Sequence, residues 1–171
     1  MITLITIGKI KEKYISEGID DYLKRLSKYT KIELIELEDE SFDKTKTLKV
    51  EAEKILKRLN KKSYIITLEI EGKELSSVEL SNLIDNSINN YTDITFIIGG
   101  SYGLDDSIKE LSNYKLSFSK MTFPHQLFRL LFLEQLYRSF KILNNEQYHK
   151  WYCSFTLLYR YTIKKHAILN P

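Results

Sequence analysis

Three short loops, at residues 69–73, 99–103 and 119–125, carry the residue types that could do chemistry in this chain. The second loop is rich in glycine, which lets a backbone approach a ligand closely and adopt positive φ angles. A tight turn between a strand and a helix would use the same glycines, so the loop alone leaves ligand binding and chain reversal equally open. Its spacing is not that of a dinucleotide-binding fingerprint, and the chain has no Gly-Lys-Ser/Thr phosphate loop.

The third loop ends at His125, which follows Pro124 at the start of an apolar segment. Its imidazole could act as a catalytic base, although an isolated histidine more often caps or packs. Arg129 and Arg138 follow on the same segment and could reach phosphate. Pairing with an acid such as Glu134 is the commoner fate of such side chains.

The residues of the main body, residues 1–150, do not indicate covalent catalysis. There is no Gly-x-Ser-x-Gly elbow, and the single Cys153 has no plausible histidine partner in the main body. One cysteine and three histidines are too few for a disulfide or a structural zinc site, and we expect no metal. The sequence therefore favours a reaction in which the protein mainly positions the reactants. The single cysteine also indicates a chain that works in the reducing cytosol.

Apolar residues with the period of strands alternate with apolar residues that have the period of helices. Strands are predicted at residues 2–7, 32–37, 64–68, 94–98 and 116–118, and helices over residues 15–26, 48–59, 76–88, 104–111 and 124–143. Ser76 and Glu79 fit a capping box at the third helix. This order predicts one α/β domain with a mainly parallel sheet and helices on both faces. Ligands of such sheets bind beyond the carboxyl ends of the strands, where the three loops should meet.

The helix predicted over residues 124–143 is apolar on more than one face. A helix on a monomer's surface needs one apolar stripe, so the extra face is expected to meet a second copy of the chain. The net charge of +3 is carried entirely by residues 151–171, which leaves residues 1–150 neutral. Nucleic acid would therefore be bound locally, or by two chains together. No apolar run approaches the length of a membrane helix, and we expect no membrane association.

Four segments together resemble the RlmH family, whose members are SPOUT-superfamily methyltransferases that modify a pseudouridine in large-subunit ribosomal RNA. They are FIIGGSYGL at residues 96–104, LSFSKMTFPHQ at 116–126, EQLYR at 134–138 and YHK at 148–150. The resemblance implies an α/β trefoil knot, a rare exception to the rule that chains do not thread their own loops. It also implies a cytoplasmic homodimer that binds S-adenosylmethionine. The residues that would contact this cofactor are Leu68, Gly99, Phe118, Ser119, Lys120, Met121, Thr122 and Phe123.

The resemblance also implies the methyl acceptor, which is ring nitrogen three of a pseudouridine in the 23S ribosomal RNA of the assembled ribosome. A sulfonium methyl is already activated, so the protein must mainly align the acceptor and help to remove its proton. His149 is the first candidate for that base, with Tyr148 shaping the pocket and Arg138 binding RNA.

The family ends at or just after its Tyr-His-Lys/Arg motif, whereas this chain continues to Pro171. We therefore divide the chain into a methyltransferase domain at residues 1–150 and a C-terminal extension at residues 151–171. The extension could be a benign appendage, or it could obstruct the substrate side of the pocket. The alternative function is a catalytically impaired ribosome-binding protein with the same fold. A different nucleotide enzyme would need the glycine fingerprint that is missing.

Overall fold

The structure is a computed structural model that describes residues 1–148. Strands and helices alternate along these residues, as the periodicity predicts. The elements are β1 (Ile2–Ile7), α1 (Lys13–Leu26), β2 (Ile32–Leu37), α2 (Lys44–Arg58), β3 (Tyr64–Glu74), α3 (Ser77–Asn90), β4 (Ile94–Ile98), α4 (Asp106–Glu110), β5 (Tyr114–Ser117) and α5 (His125–Leu143). None of the helices in this part of the chain is long and apolar enough to cross a membrane.

The five strands form one sheet in the order β2-β1-β4-β3-β5, and every neighbouring pair is parallel. All residues of β1 and β4 are buried, because these strands are covered by helices on both faces. The predicted mainly parallel sheet is therefore confirmed.

Successive side chains of a strand point to opposite faces, and each face of the sheet has its own core. On one face, Phe96 of β4 packs against Phe132 of α5 with ring centroids 4.8 Å apart, among side chains of α1 and α3. On the other face, Ile97 belongs to a second core with Ile55 of α2 and Ile108 of α4. Helices cover both faces, as predicted.

The predicted capping box at the start of α3 is present. The backbone N–H of Glu79 donates to Oγ of Ser76 at 3.2 Å, and the Glu79 carboxylate accepts from the Ser76 N–H at 2.8 Å. These bonds satisfy two N–H groups that have no partner within the helix. They fix where α3 begins, just after β3.

Strand β3 is longer than predicted. The sequence suggests a strand to Leu68 followed by a loop, whereas β3 runs on to Glu74, and both Leu68 and Lys73 pair with Leu116 of β5. The residues between them bulge out of the ladder. Gly72 makes this possible, because a Cβ there would lie 2.7 Å from the carbonyl carbon of Leu116. Gly72, which the sequence predicts to lie in a loop, instead lies where two strands approach each other closely.

Candidate active site

A cavity of about 470 Å³ lies at the carboxyl ends of β3, β4 and β5. Its walls are the β3 bulge, the glycine loop after β4, the loop after β5 and the first turn of α5. Its volume is within the range of roughly 300–1,000 Å³ that small-molecule sites occupy. The three loops singled out in the sequence therefore meet at one place.

The residues predicted to hold a cofactor lie at this cavity, with one exception. Lys120 is exposed and is not part of the wall. The predicted residues that line the cavity are Leu68, Gly99, Phe118, Ser119, Met121, Thr122 and Phe123. Their role toward a cofactor stays a prediction.

The glycine loop makes a tight turn of its own. The Gly103 N–H donates to the Gly100 carbonyl at 3.0 Å, and Gly103 has a φ of +83°. A Cβ at Gly99 would lie only 2.3 Å from the Gly103 carbonyl oxygen. Chain reversal therefore requires these glycines, and the same turn forms a cavity wall. Both interpretations of the cluster apply.

A buried carboxylate, Glu51 of α2, stands behind this turn and was not identified from the sequence. A Cβ at Gly100 would lie 3.0 Å from its Oε2, and the Glu40 N–H donates to its Oε1 at 3.4 Å. Burial raises the pKa of Glu51. The signal for it is an acid three residues after Leu48 and four before Ile55, which places it on the apolar face of the helix.

Aromatic rings form the apolar wall on the side of α5. The ring of Phe118 packs edge-on against Phe128 with centroids 5.1 Å apart, and Phe123 stacks on Phe128 at 5.9 Å. Phe118 also lies 6.1 Å from Phe132 of the core. Because α5 supports these rings from behind, the wall is pre-formed.

Hydroxyl groups hold the loop after β5 against the β3 bulge. Oγ of Ser117 donates to the Ile70 carbonyl at 3.0 Å, and Oγ of Ser119 accepts from the Met121 N–H at 3.0 Å. The Met121 side chain is 68% exposed at the cavity. The loop is thus fixed at its base and presents an apolar group at its tip.

The polar part of the cavity carries both signs of charge. Glu69 accepts a hydrogen bond from the buried hydroxyl of Thr67 at 2.6 Å, and Glu71 lines the same wall. Lys109 of α4 also lines it, and a hydrogen bond to Asp106 is the main cause that raises its pKa, with Glu69 and Glu71 adding to the effect. The carboxylates can accept hydrogen bonds from hydroxyl or amino groups of a ligand.

His125, the first residue of α5, lines the cavity. Partial burial lowers its pKa, and the charge of Arg129 lowers it further. The sequence leaves open whether His125 is a catalytic base or a capping or packing residue. The structure places its imidazole at the cavity, where a ligand would lie. It is the one imidazole that the cavity wall contains within residues 1–148.

Arg129 is buried, with 1% of its surface exposed. Its Nη1 donates to the Glu36 carboxylate at 2.9 Å and its Nη2 donates to the Ile7 carbonyl at 2.5 Å. Burial lowers its pKa. This guanidinium therefore joins β1, β2 and α5. It is neither a free phosphate ligand nor part of a surface pair.

Arg138 and Tyr148 lie elsewhere in the same chain. Arg138 pairs with Glu134 at 2.5 Å, and its guanidinium covers the Tyr148 ring at 4.8 Å. The Tyr148 hydroxyl donates to Glu134 at 3.4 Å, and burial is the main cause that raises its pKa. Along α5, Arg138 is about 20 Å from His125. The third predicted catalytic residue, His149, lies outside the described residues.

Residues 1–149 match a family model described as "Predicted SPOUT methyltransferase". The chain belongs to the SPOUT methyltransferase family. A relative from Methanococcus maripaludis, named putative ribosomal RNA large subunit methyltransferase H, is 57% identical over 157 residues. A Clostridium botulinum protein named ribosomal RNA large subunit methyltransferase H is 49% identical over 157 residues. Each match covers 87% of this chain and 99% of the relative. The predicted membership of the RlmH family is confirmed.

Solved structures of a methylase family protein and of a tRNA methyltransferase share the fold. A probable methylase family protein from Haemophilus influenzae matches with a TM-score of 0.52 and 15% identity, over 87% of this chain and 70% of that one. A tRNA (m1G37) methyltransferase from Aquifex aeolicus matches with a TM-score of 0.50 and 13% identity, over 80% and 69% of the two chains. At such identities the likeness supports the fold alone.

Proposed function

We propose that this SPOUT methyltransferase transfers a methyl group from S-adenosylmethionine to ring nitrogen three of a pseudouridine in 23S ribosomal RNA of the assembled ribosome. The observation that carries the proposal is the cavity at the ends of β3, β4 and β5, whose walls are the loops that resemble the RlmH family. The names of the relatives, which are large-subunit ribosomal RNA methyltransferases, support the substrate class. We place the reaction in the cytoplasm, where ribosomes are available.

The residues present fit S-adenosylmethionine. Leu68, Ile98 and Phe118 offer an apolar surface for an adenine ring, and the glycine turn leaves room for close approach of the backbone. Glu69 and Glu71 can accept hydrogen bonds from ribose hydroxyls and balance positive charge. The volume of about 470 Å³ is adequate for a ligand of this size.

The bound cofactor would supply a methyl group that is activated by the neighbouring sulfonium. The chain must then hold the acceptor nitrogen in line and exclude water. Correct orientation of two reactants contributes about 7–11 kcal/mol to such a step. The rigid walls support this role, because the Phe118, Phe123 and Phe128 rings pack on one another and the loop hydroxyls are already hydrogen-bonded.

We further propose that the enzyme is a homodimer with a trefoil knot. Leu127 and Leu131 of α5 are 36% and 37% exposed, although the helix is long and central to the fold. Covering them with a second copy removes this apolar surface from water. Arg138 lies about 20 Å along the helix from His125 in its own chain, and Tyr148 packs against Arg138, so both would serve a site completed by another copy. The knot is proposed from the resemblance to the RlmH family.

Ribosome recognition would depend on shape rather than on charge. Residues 1–150 carry no net charge, so the chain has little general attraction for flexible RNA. A large rigid substrate can instead be contacted at several points by both protomers. We therefore expect assembled ribosomes to be better acceptors than a free RNA stem-loop.

The test uses the full chain, S-adenosylmethionine with a labelled methyl group, and ribosomes from a strain that lacks the modification. Methyl transfer to these ribosomes, with little to the free stem-loop or to ribosomes that already carry the modification, is expected. Mapping of the label to nitrogen three of a pseudouridine would identify the acceptor. Calorimetry would report cofactor binding separately. Binding without transfer would favour the catalytically impaired alternative, and equal methylation of the stem-loop would contradict the proposed recognition.

A further inference from the structure

We propose that His125 is the base that accepts the proton from the ring N–H of the methyl acceptor, with Arg129 as its positioning residue. The inference rests on the proposed function, and it concerns a residue other than His149. His125 lines the cavity in the same chain as the cofactor-binding loops. It needs no second copy to reach the site.

His125 is the first residue of α5, and its surroundings lower the pKa of its imidazole. The N-terminus of a helix carries partial positive charge, which disfavours an imidazolium there. Arg129 is four residues further along, on the same side of the helix, and its buried guanidinium adds a full positive charge. Partial burial lowers the pKa of His125, and the charge of Arg129 lowers it further. These effects favour the neutral imidazole, which is the form that can accept a proton.

Other charged and titratable groups share the cavity wall, and they are weaker candidates. The carboxylates are less basic than an imidazole, and protonated Lys109 has no free electron pair. Tyr102 carries a phenol hydroxyl, which offers no strongly basic atom. These groups are Glu69 and Glu71 of β3, Lys109 of α4 and Tyr102 of the glycine loop. Glu36 of β2 does not line the cavity and pairs with Arg129.

The step balances in atoms and charge. The acceptor nitrogen forms one bond to the methyl carbon, while the methyl–sulfur bond breaks and its electron pair stays on sulfur. The N–H bond breaks, its electrons stay on nitrogen, and the proton moves to the unprotonated ring nitrogen of His125. The resulting imidazolium is repelled by Arg129. Because His125 is in contact with solvent, it returns the proton to water.

The Arg129 guanidinium is held in place by its own partners and does not fill the cavity. Its Nη1 and Nη2 groups are used by Glu36 and by the Ile7 carbonyl, so the side chain is fixed away from the ligand. Gly8 leaves the necessary room, because a Cβ there would lie 3.3 Å from Nη2. The charge is thus held close to His125 in one geometry.

The first experiment measures single-turnover methyl transfer to ribosomes between pH 5 and pH 9. For the wild type the rate should rise with pH up to a plateau as His125 loses its proton. His125→Gln should lower the plateau by about 100-fold or more, the usual contribution of a general base, and remove the acidic limb. Its calorimetric affinity for S-adenosylhomocysteine should stay within about twofold, since the glutamine remains polar. Glu110→Gln, on an exposed residue of α4, serves as the matched control and should behave as the wild type.

The second experiment is independent of activity. An NMR titration of carbon-13-labelled histidine, assigned with His125→Gln, should place the His125 midpoint below the ordinary value of 6.5. Glu36→Gln keeps an acceptor for Arg129 but removes the compensating charge, so the midpoint should fall further. Arg129→Gln should raise it, and Arg129→Lys should leave it near the wild-type value. If Arg129→Gln does not fold, the Glu36→Gln titration still decides the role of Arg129.

The outcomes separate the inference from the proposed function. A wild type that neither binds the cofactor nor methylates ribosomes overturns the proposed function. An active wild type whose His125→Gln variant keeps its rate and its acidic limb overturns the assignment of His125 alone. Loss of S-adenosylhomocysteine affinity equal to the loss of rate would make His125 a binding residue and reject it as the base. Removal of the acidic limb by His149→Gln, and not by His125→Gln, would assign the base to His149.

Discussion

Gly99 offers a quantitative test of the turn that forms the cavity wall, through its replacement by alanine. A Cβ at Gly99 would lie 2.3 Å from the Gly103 carbonyl oxygen, about 1 Å closer than an ordinary carbon–oxygen contact of roughly 3.3 Å. The turn must open to relieve this overlap. Overpacking of this kind costs about 1–3 kcal/mol, and the Gly103 N–H bond to Gly100 contributes about 1 kcal/mol more. We expect Gly99→Ala to lower the free energy of unfolding by about 2–4 kcal/mol.

Gly103→Ala is the matched control for this prediction. A Cβ at Gly103 would meet no atom within 4 Å, so the cost comes from its φ of +83° alone. Left-handed backbone costs other residues about 1–2 kcal/mol. Urea denaturation of both variants gives the two free energies, and calorimetry should show at least tenfold weaker S-adenosylhomocysteine binding for folded Gly99→Ala. Wild-type stability and affinity in Gly99→Ala, or a larger loss of stability in Gly103→Ala, would refute this reasoning.

Three further changes test the site, the assembly and the extension. Phe118→Leu keeps much of the apolar volume but loses the ring face, and should weaken S-adenosylhomocysteine binding about tenfold, or roughly 1.4 kcal/mol; an unchanged calorimetric affinity would remove Phe118 from the site. Sedimentation at micromolar concentration should give a particle of about 40 kDa, twice the 20.2 kDa of one chain, and Leu131→Lys should give an inactive monomer; a fully active monomeric wild type would contradict the dimer. Truncation after Lys150 should preserve folding and keep or raise methyl transfer; unfolding, or loss of an activity that the full chain has, would show that residues 151–171 are integral.

The parts of the fold that depend on local pattern could be predicted from the sequence. Residues 94–98 are almost entirely apolar, and they form the buried centre of the sheet. The pair Ser76 and Glu79 carries its own geometry, so the start of α3 is correct. The meeting of the three loops follows from the rule that parallel strands present their carboxyl ends at one edge.

The parts that depend on distant residues could not be predicted. The bulge in β3 exists because Leu116 of β5 passes close to Gly72, and the sequence of β3 contains no sign of that neighbour. The burial of Arg129 likewise depends on a carbonyl of Ile7 and a carboxylate of Glu36 from two other elements. The hydrophobic periodicity of a helix predicts which of its faces is apolar. It does not identify the partner of a charged side chain on that face.

Two of the predicted catalytic residues, Arg138 and Tyr148, lie away from the cavity of their own chain. The Glu134 carboxylate pairs with Arg138 and accepts from Tyr148, which orders both side chains against the C-terminal half of α5. Arg138 lies about 20 Å along α5 from His125, so in the proposed dimer it would act on a substrate at the cavity of the other copy. His125 stands at the cavity of its own chain. A variant of Arg138 should therefore be rescued in a mixed dimer by a chain that carries the intact arginine and a disabled His125. Two variants of His125 should not rescue each other, because neither cavity then has its base.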